Sequence, residues 1–110
     1  MKKHNLFDLE QAYNKYQVKG RTLVNHENAT IKELFLEKGQ DIPKHQFPLD
    51  VTFIFLEGTG LISIGDEMEH VKPFDVVLCP PNTVMSVKAD EDSTLSFLNI
   101  KTPGLKSLEK

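Results

Sequence analysis

The chain has 110 residues, of which 39% are hydrophobic and 26% are charged, with a net charge of -3. This size and composition are typical of a single soluble globular domain. The 13 basic side chains include one arginine, Arg21, and the lysines are scattered along the chain. A nucleic-acid surface requires clustered basic residues, so nucleic acid is not an expected partner.

The single cysteine, Cys79, excludes an intrachain disulfide and fits a reducing compartment. The first residues, MKKHNLFDLEQAY, contain no apolar stretch of signal-peptide length. The longest nearly apolar run, 51–56, is too short to span a bilayer. We therefore expect a cytoplasmic protein with no membrane partner.

In chain order, the only helical pattern lies near the start. Asp8 is placed to cap a short helical turn whose apolar residues are Leu9, Ala12, Tyr13 and Tyr16. We expect one domain over 1–110. It consists of an N-terminal segment (1–19), a barrel (about 20–101) and a C-terminal tail (102–110).

Short β-like runs separated by turn residues follow from residue 20 onward. The predicted strands are Thr22–His26, Thr30–Leu36, Val51–Glu57, Leu61–Ile64, Met68–Val71, Asp75–Cys79, Val84–Lys88 and Thr94–Lys101. Gly65-Asp66 is a two-residue hairpin signal, because glycine supplies the positive φ that such turns need. This density of short strands predicts a β-sandwich or a closed barrel.

Alternation assigns side chains to faces in two of these strands. In 51–57, both sets are apolar: one is Thr52, Ile54 and Leu56, and the other is Val51, Phe53 and Phe55. We expect the N-terminal segment or a second subunit to cover the Phe53/Phe55 side. In 84–88, Met85 and Val87 share one face, while Ser86 and Lys88 share a solvent-like face.

The stretch 39–58 has the spacing of a known motif. Gly39 is followed after five residues by His45, and Gly58 closes the stretch. This resembles the first motif of the cupin superfamily, G-x5-H-x-H, four residues, Glu and then Gly. In this alignment Phe47 stands at the second histidine position, and Thr52 stands at the glutamate position.

A second stretch, FDVVLCPPNTVM, is similar to the second cupin motif. Asp75 and Pro80 match that motif, whereas Phe74 and Asn82 replace its glycines and Met85 replaces its histidine. The resemblance covers about residues 30–101. It implies an all-β fold, a cupin-type antiparallel jelly-roll β-barrel, here with a short N-terminal helical turn.

Metal-binding cupins hold a divalent ion with three imidazoles and one carboxylate. Only His45 keeps a ligand position here, so no metal and no other cofactor are expected. The resemblance instead implies a small, mostly apolar pocket with one titratable group, formed by His45, Phe47, Thr52, Ile54 and Met85. Such a pocket suits a small organic molecule.

Several roles stay open for individual residues. His45 is a candidate general base or a hydrogen-bonded remnant, and Asp50 either orients His45 or stabilises its own turn. Cys79 is a small buried residue or a ligand in a rebuilt metal site. His26 and His70 are expected at the solvated surface.

Four functions fit the sequence. The first is a small-molecule-binding protein without the usual metal site, acting as a homodimer. The second is a metal-independent sugar isomerase or epimerase that uses His45 as its base. The third is a metal-dependent enzyme, of dioxygenase or isomerase type, with a non-standard site that includes Asp50. The fourth is an interaction protein whose Phe53/Phe55 face forms the dimer surface.

Overall fold

The computed structural model describes residues 1–109, which form ten strands between two short 3₁₀ helices. The helices are Leu6–Asp8 and Leu105–Glu109. The strands are β1 (Ala12–Tyr13), β2 (Lys19–Asn25), β3 (Thr30–Leu36), β4 (Asp41–His45), β5 (Asp50–Gly58), β6 (Gly60–Ile64), β7 (Glu67–Val71), β8 (Val76–Cys79), β9 (Met85–Ala89) and β10 (Leu95–Thr102). Within the described residues, no helix has the length and apolar character that crossing a membrane requires.

Two antiparallel sheets carry these strands, in the orders β1-β2-β3-β10-β5-β8 and β4-β9-β6-β7. Strands that are distant in sequence are paired, as β10 is with both β3 and β5. The chain therefore crosses repeatedly between the sheets, which is the connectivity of a jelly roll. The predicted all-β antiparallel jelly-roll barrel is confirmed.

The aromatic core lies between the sheets, on the inward face of β5 and β10. Phe53, Phe55 and Phe97 are at most 1% exposed, and their ring centroids lie 5.3–6.1 Å apart. Buried residues of the other sheet, Ile62, Met85, Val87 and Ala89, belong to the same core cluster. The expectation that the N-terminal segment or a second subunit covers Phe53 and Phe55 is therefore wrong, since the opposite sheet of the barrel buries them.

Strand β4 was not among the predicted strands. Its sequence, DIPKH, contains Pro43 and two charged residues, which disfavour strand formation. It forms at the edge of its sheet and pairs only with β9, where a proline without an N–H group is tolerated. This strand fixes the position of His45, its last residue, which lies opposite Met85 of β9.

The N-terminal segment differs from the predicted helix. The helical turn occurs earlier, at Leu6–Asp8, and Asn5 caps it by accepting a hydrogen bond from the backbone N–H of Phe7. Ala12 and Tyr13 instead form β1, which pairs with the start of β2. An isolated helix this short is marginal in water, so an extended segment that packs on the barrel is favoured.

The backbone supports the alignment with the second motif. Phe74 and Asn82, which stand at its glycine positions, adopt positive φ angles of 73° and 59°. The predicted Gly65-Asp66 turn is also confirmed, with Ile64 paired to Glu67 across it and Gly65 at a φ of 57°. The chain thus keeps the turns of the motif after losing two of its glycines.

Gly58→Ala is expected to destabilise the protein by about 3 kcal/mol or more, whereas Gly65→Ala is expected to cost only about 1–2 kcal/mol. Both glycines have positive φ, so both variants lose the conformational freedom of glycine. At Gly58, a Cβ would also lie 1.7 Å from the carbonyl oxygen of Thr94, which forces the backbone apart. At Gly65, the nearest atom, Cγ2 of Thr83, is 3.6 Å away. Urea unfolding of both variants measures this difference, and equal costs would contradict it.

Candidate functional site

A cavity of about 800 Å³ lies at one end of the barrel, beside the N-terminal segment. The inward faces of β2, β3, β5 and β10 form one wall, and β4, β9 and residues 46–47 form another. Its lining includes Leu9, Tyr16, Lys32, Leu34, Ile42, His45, Phe47, Phe53, Val87, Asn99 and Lys101. The apolar residues predicted to form an N-terminal helix, Leu9, Ala12, Tyr13 and Tyr16, all line this cavity in a non-helical segment, in which Ala12 and Tyr13 form β1 and Tyr16 lies in a turn.

His45 is half-buried in the cavity wall, and its tautomer follows from its hydrogen bond. Its Nδ1 lies 2.8 Å from the carbonyl oxygen of Pro43. A carbonyl oxygen only accepts, so Nδ1 carries the hydrogen and the neutral ring keeps its lone pair on Nε2. The ring also meets Phe47 edge-to-face, with centroids 5.5 Å apart. His45 is therefore held in place with one nitrogen available as an acceptor.

Lys101 is the most unusual residue of the cavity, because it is only 6% exposed. Its Nζ lies 4.8 Å from the centroid of the Phe47 ring and donates a hydrogen bond to Oδ1 of Asn99. Asn99 is itself 4% exposed. Lysine is rarely buried unless it is paired, so this amine is held at an energetic cost.

Burial and, to a smaller extent, the positive charge of Lys32 together lower the pKa of Lys101 to about 8. Lys32 lies on β3 directly opposite Asn99 of β10, on the same cavity wall. The ion pairs in residues 1–109 involve other cations: Arg21 with Glu33, Lys72 with Asp75 and Lys88 with Glu91. None of the three lysines that line the cavity, Lys15, Lys32 and Lys101, has a carboxylate partner in that part of the chain.

The charge of the cavity lining is accordingly positive. Within the described chain, Glu10 is its one acidic residue. Its basic residues are Lys15, Arg21, Lys32 and Lys101, of which Arg21 is neutralised by Glu33. The cavity therefore combines apolar walls with a localised excess of positive charge.

Two residues predicted for the pocket lie elsewhere. Thr52 and Ile54 are half-buried on the outer face of β5, because side chains alternate along the strand and Val51, Phe53 and Phe55 take the inward positions. The interior residues on either side of Thr52 are Val51 and Phe53, and of these Phe53 lines the cavity. This corrects the assignment of Thr52 and Ile54 to the pocket.

Of the other predicted pocket residues, His45 and Phe47 do line the cavity. Met85 points inward as expected, but it is 1% exposed and lies in the core, paired with His45 across β4 and β9. Three further cavity residues, Lys32, Asn99 and Lys101, lie outside the motif positions and were not predicted for the pocket. Alternation along β10 offered a signal, because Asn99 and Lys101 share the face of Leu95 and Phe97.

Asp50 and Cys79 do not join the site. Asp50 is exposed at the start of β5, and the group that orients His45 is the carbonyl of Pro43. Cys79 is fully buried, its Sγ lies 3.6 Å from the carbonyl oxygens of Pro80 and Thr83, and burial raises the pKa of its thiol. A buried thiol with a raised pKa is unreactive, which fits a structural role.

The residues around His45 do not fit a divalent metal ion. Phe47 and Val51 carry no donor atom, and the thioether of Met85 suits only soft ions. Across residues 1–109, no group of three His, Cys, Asp or Glu side chains is arranged to hold a metal. The ammonium group of Lys101 over Phe47 would also repel a cation there.

Comparison with known proteins agrees with this fold. The chain matches the cupin domain family over residues 33–101. An uncharacterised protein of Methanocaldococcus jannaschii is 30% identical over 87 residues, which cover 78% of this chain and 75% of that protein. Its crystal structure, an RmlC-like cupin with a double-stranded β-helix fold, has a TM-score of 0.74 and 24% identity, and the match covers 92% of this chain and 95% of that one.

Two other structures show how widely this fold is used. An RmlC-like cupin from Shewanella frigidimarina has a TM-score of 0.83 at 12% identity, with 93% of this chain and 90% of that one covered. The polyketide cyclase RemF of Streptomyces resistomycificus also has a TM-score of 0.83, at 17% identity, with 93% and 79% covered. At such low identities the likeness establishes the fold alone. The family match, which spans more than half of the chain, shows that this protein belongs to the cupin domain family.

Proposed function

We propose that this protein binds a small organic anion in the cavity beside His45, without a metal ion. The observation that carries the proposal is Lys101, a buried lysine without a carboxylate partner in the described chain, with Lys32 on the neighbouring strand. Its own burial and the nearby positive charge of Lys32 both disfavour the charged form of Lys101. An anionic ligand relieves both effects when it is bound.

The chemistry of the walls suggests how such a ligand would lie. Its carboxylate would be placed between Lys32 and Lys101, within reach of charge-assisted hydrogen bonds. Its carbon part would pack on Leu34, Phe47 and Phe53. A few convergent polar groups in a mostly apolar cavity are typical of small-molecule sites.

A metal-independent enzyme is the second candidate. The hydrogen bond from Nδ1 of His45 to Pro43 leaves Nε2 as an acceptor at the cavity wall, as a general base requires. This observation favours an isomerase or epimerase in which His45 moves a proton on the bound anion. Loss of turnover with retained binding in His45→Gln would support this candidate.

We further propose that the protein forms a homodimer through the outer face of β10, β5 and β8. The centre of this face is apolar and consists of Thr52, Ile54, Val76, Leu78, Leu98 and Ile100, with the exposed Asp50 at its end. Val76 and Leu78 are 63% and 62% exposed, and they lie on an edge strand. An apolar patch of this kind is complementary to a copy of itself, as two-fold symmetric pairing requires.

Phe74 supports the choice of this face. It lies two residues before Val76, is 82% exposed and holds a φ of 73°. This conformation costs a non-glycine residue roughly 1–2 kcal/mol. Burial of the ring against a second copy would offset that cost.

Matched pairs of neutral and charged ligands test the anion site. We expect hexanoate and phenylacetate to bind, and hexanamide and phenylacetamide to bind at least about tenfold more weakly, because the amides lose the charge-assisted contacts. Isothermal titration calorimetry gives the affinities, and amide chemical shifts locate the site. Lys32→Gln should weaken hexanoate binding about tenfold, whereas Lys88→Gln on the surface should leave it unchanged. Equal affinities for acids and amides would contradict the proposal.

A further inference from the structure

We propose that Lys101 is a carbonyl-reactive amine, which forms an imine with a small oxo acid bound in the cavity. This inference rests on the proposed anion site and assigns it a substrate class: an aldehyde or ketone that also carries a carboxylate. It also gives Lys32 and Lys101 different roles. Lys32 would bind the carboxylate, and Lys101 would react with the carbonyl.

The surroundings of Lys101 favour an amine that is free to react. Its Nζ contacts the ring of Phe47 and the side-chain oxygen of Asn99, and both contacts hold it at the cavity wall. The surface lysines Lys72 and Lys88 differ, since each is paired with a carboxylate that stabilises its charged form. Lys101 therefore combines a fixed position with an environment that disfavours the ammonium form.

The charged and titratable groups that share the cavity with this amine come from several elements. They are Arg21 on β2, Lys32 on β3, His45 on β4, and Glu10, Tyr13, Lys15 and Tyr16 in the N-terminal segment. With a pKa of about 8, roughly one-tenth of the Lys101 side chains are neutral at pH 7. An ordinary lysine is neutral in well under about one-thousandth of molecules at this pH. Desolvation and a neighbouring cation are established ways to activate a lysine nucleophile.

The proposed step balances without an oxidant or a reductant. The lone pair of the neutral amine attacks the carbonyl carbon, and the carbon–oxygen π electrons move to oxygen. A proton transfers from nitrogen to oxygen and gives a carbinolamine. The hydroxyl group then leaves as water after it takes up a further proton, and a carbon–nitrogen double bond forms. Nε2 of His45, whose ring also contacts Phe47, is the candidate relay: it accepts a proton from solvent and then donates that proton to the hydroxyl group.

Reductive trapping tests this inference on the wild-type protein. The protein is incubated with glyoxylate or pyruvate and cyanoborohydride, which reduces an imine to a stable secondary amine. Intact mass and peptide mapping then count and locate the adducts. We expect one adduct to form at Lys101 at least tenfold faster than at any surface lysine. Adducts spread evenly over the surface lysines, with none preferred at Lys101, would overturn the proposal.

The pH dependence gives a second readout that needs no variant. Trapping at Lys101 should rise up to about pH 8 and level off above it, since the amine is then neutral. Trapping at Lys88 should continue to rise towards about pH 10. Parallel profiles at the two lysines would contradict a specially reactive Lys101.

Variants separate the two lysines and the two proposals. Lys101→Met should abolish the fast adduct, and Lys32→Gln should slow trapping of pyruvate about tenfold more than trapping of neutral acetone. Lys88→Gln should change neither. If hexanoate binds in the cavity but no adduct forms at Lys101, the imine fails and the anion site stands. If neither binding nor trapping occurs, both proposals fail.

Discussion

Phe53→Lys is expected to abolish folding, whereas Ile54→Lys, one residue further along β5, is expected to leave the fold intact and to disrupt the dimer. Phe53 is 1% exposed and contacts the rings of Phe55 and Phe97. Loss of its ring costs about 3–5 kcal/mol, and an unpaired ammonium group in the core adds several more. This total matches or exceeds the stability of a typical domain, about 5–15 kcal/mol.

Ile54 lies on the outer face, so a lysine there can extend into solvent. We expect a stability change of about 1 kcal/mol or less for Ile54→Lys. If this face binds a second copy, two added charges at the interface should convert the dimer to a monomer. Circular dichroism and urea unfolding report the fold of both variants, and light scattering after size exclusion reports the mass.

Ser63→Lys is a suitable control, because Ser63 is half-buried on the other sheet, away from the proposed interface. It should fold and keep the mass of the wild type. A monomeric wild type would contradict the proposed dimer. An Ile54→Lys variant that stays dimeric would show that the interface lies on another face. A folded Phe53→Lys would contradict the barrel interior itself.

This pair of variants also shows what the sequence could predict about the fold. Alternation along 51–57 separates its residues into two sets correctly, and the eight predicted strands all occur. Both sets are apolar, however, and periodicity does not say which set faces the interior. The choice depends on which sheet lies opposite, which is a property of the tertiary structure. The same ambiguity explains why Thr52, at the glutamate position of the motif, is predicted for the pocket although it faces outward.

Local patterns failed where tertiary pairing decided the structure. The charges of β4 and its Pro43 argue against a strand, and only the neighbouring edge of β9 makes it one. The apolar residues from Leu9 to Tyr16 fit helical spacing, yet they line a cavity in a segment that contains the short strand β1 and a turn. In both cases, burial and hydrogen bonds supplied by the rest of the barrel override the conformational preference of the local sequence.

The candidate site was predictable only in part. The motif identified His45 and Phe47, which do line the cavity, but it includes only the positions of metal ligands. Lys101 lies outside those positions, and a lysine is expected to be exposed. Its lowered pKa depends on burial by the folded barrel and on the charge of Lys32, which comes from another part of the chain. No local pattern could therefore have indicated the altered chemistry of this residue.

Lys101→Met is expected to stabilise the fold by about 2 kcal/mol at pH 7, although it should abolish reaction in the cavity. The lowering of the pKa from 10.5 to about 8 corresponds to about 3 kcal/mol of unfavourable burial of the charged form. Loss of the hydrogen bond to Asn99 offsets roughly 1 kcal/mol of this gain. Methionine has a similar length and no charge, so it can occupy the same space.

The sign of the pH dependence follows from the same values. Below pH 8, Lys101 is protonated in both states, and the folded wild type carries the full cost of the buried charge. Between about pH 8 and 10.5, the unfolded state binds more protons at this position, so the wild type gains stability as the pH rises. The advantage of Lys101→Met should therefore shrink over this range, as measured by urea unfolding at pH 7, 9 and 10.

Lys88→Met serves as the matched control, because Lys88 is an exposed lysine in a surface ion pair with Glu91. Its substitution should change stability by no more than about 1 kcal/mol. If Lys101→Met instead destabilised the protein at pH 7, the amine would be a structural element of the barrel. A stabilised but unreactive variant would mean that the wild type retains a costly buried amine. Functional sites often retain groups that lower the stability of the fold because the reaction or the ligand needs them. A destabilising amine at Lys101 would therefore indicate that this cavity is a functional site.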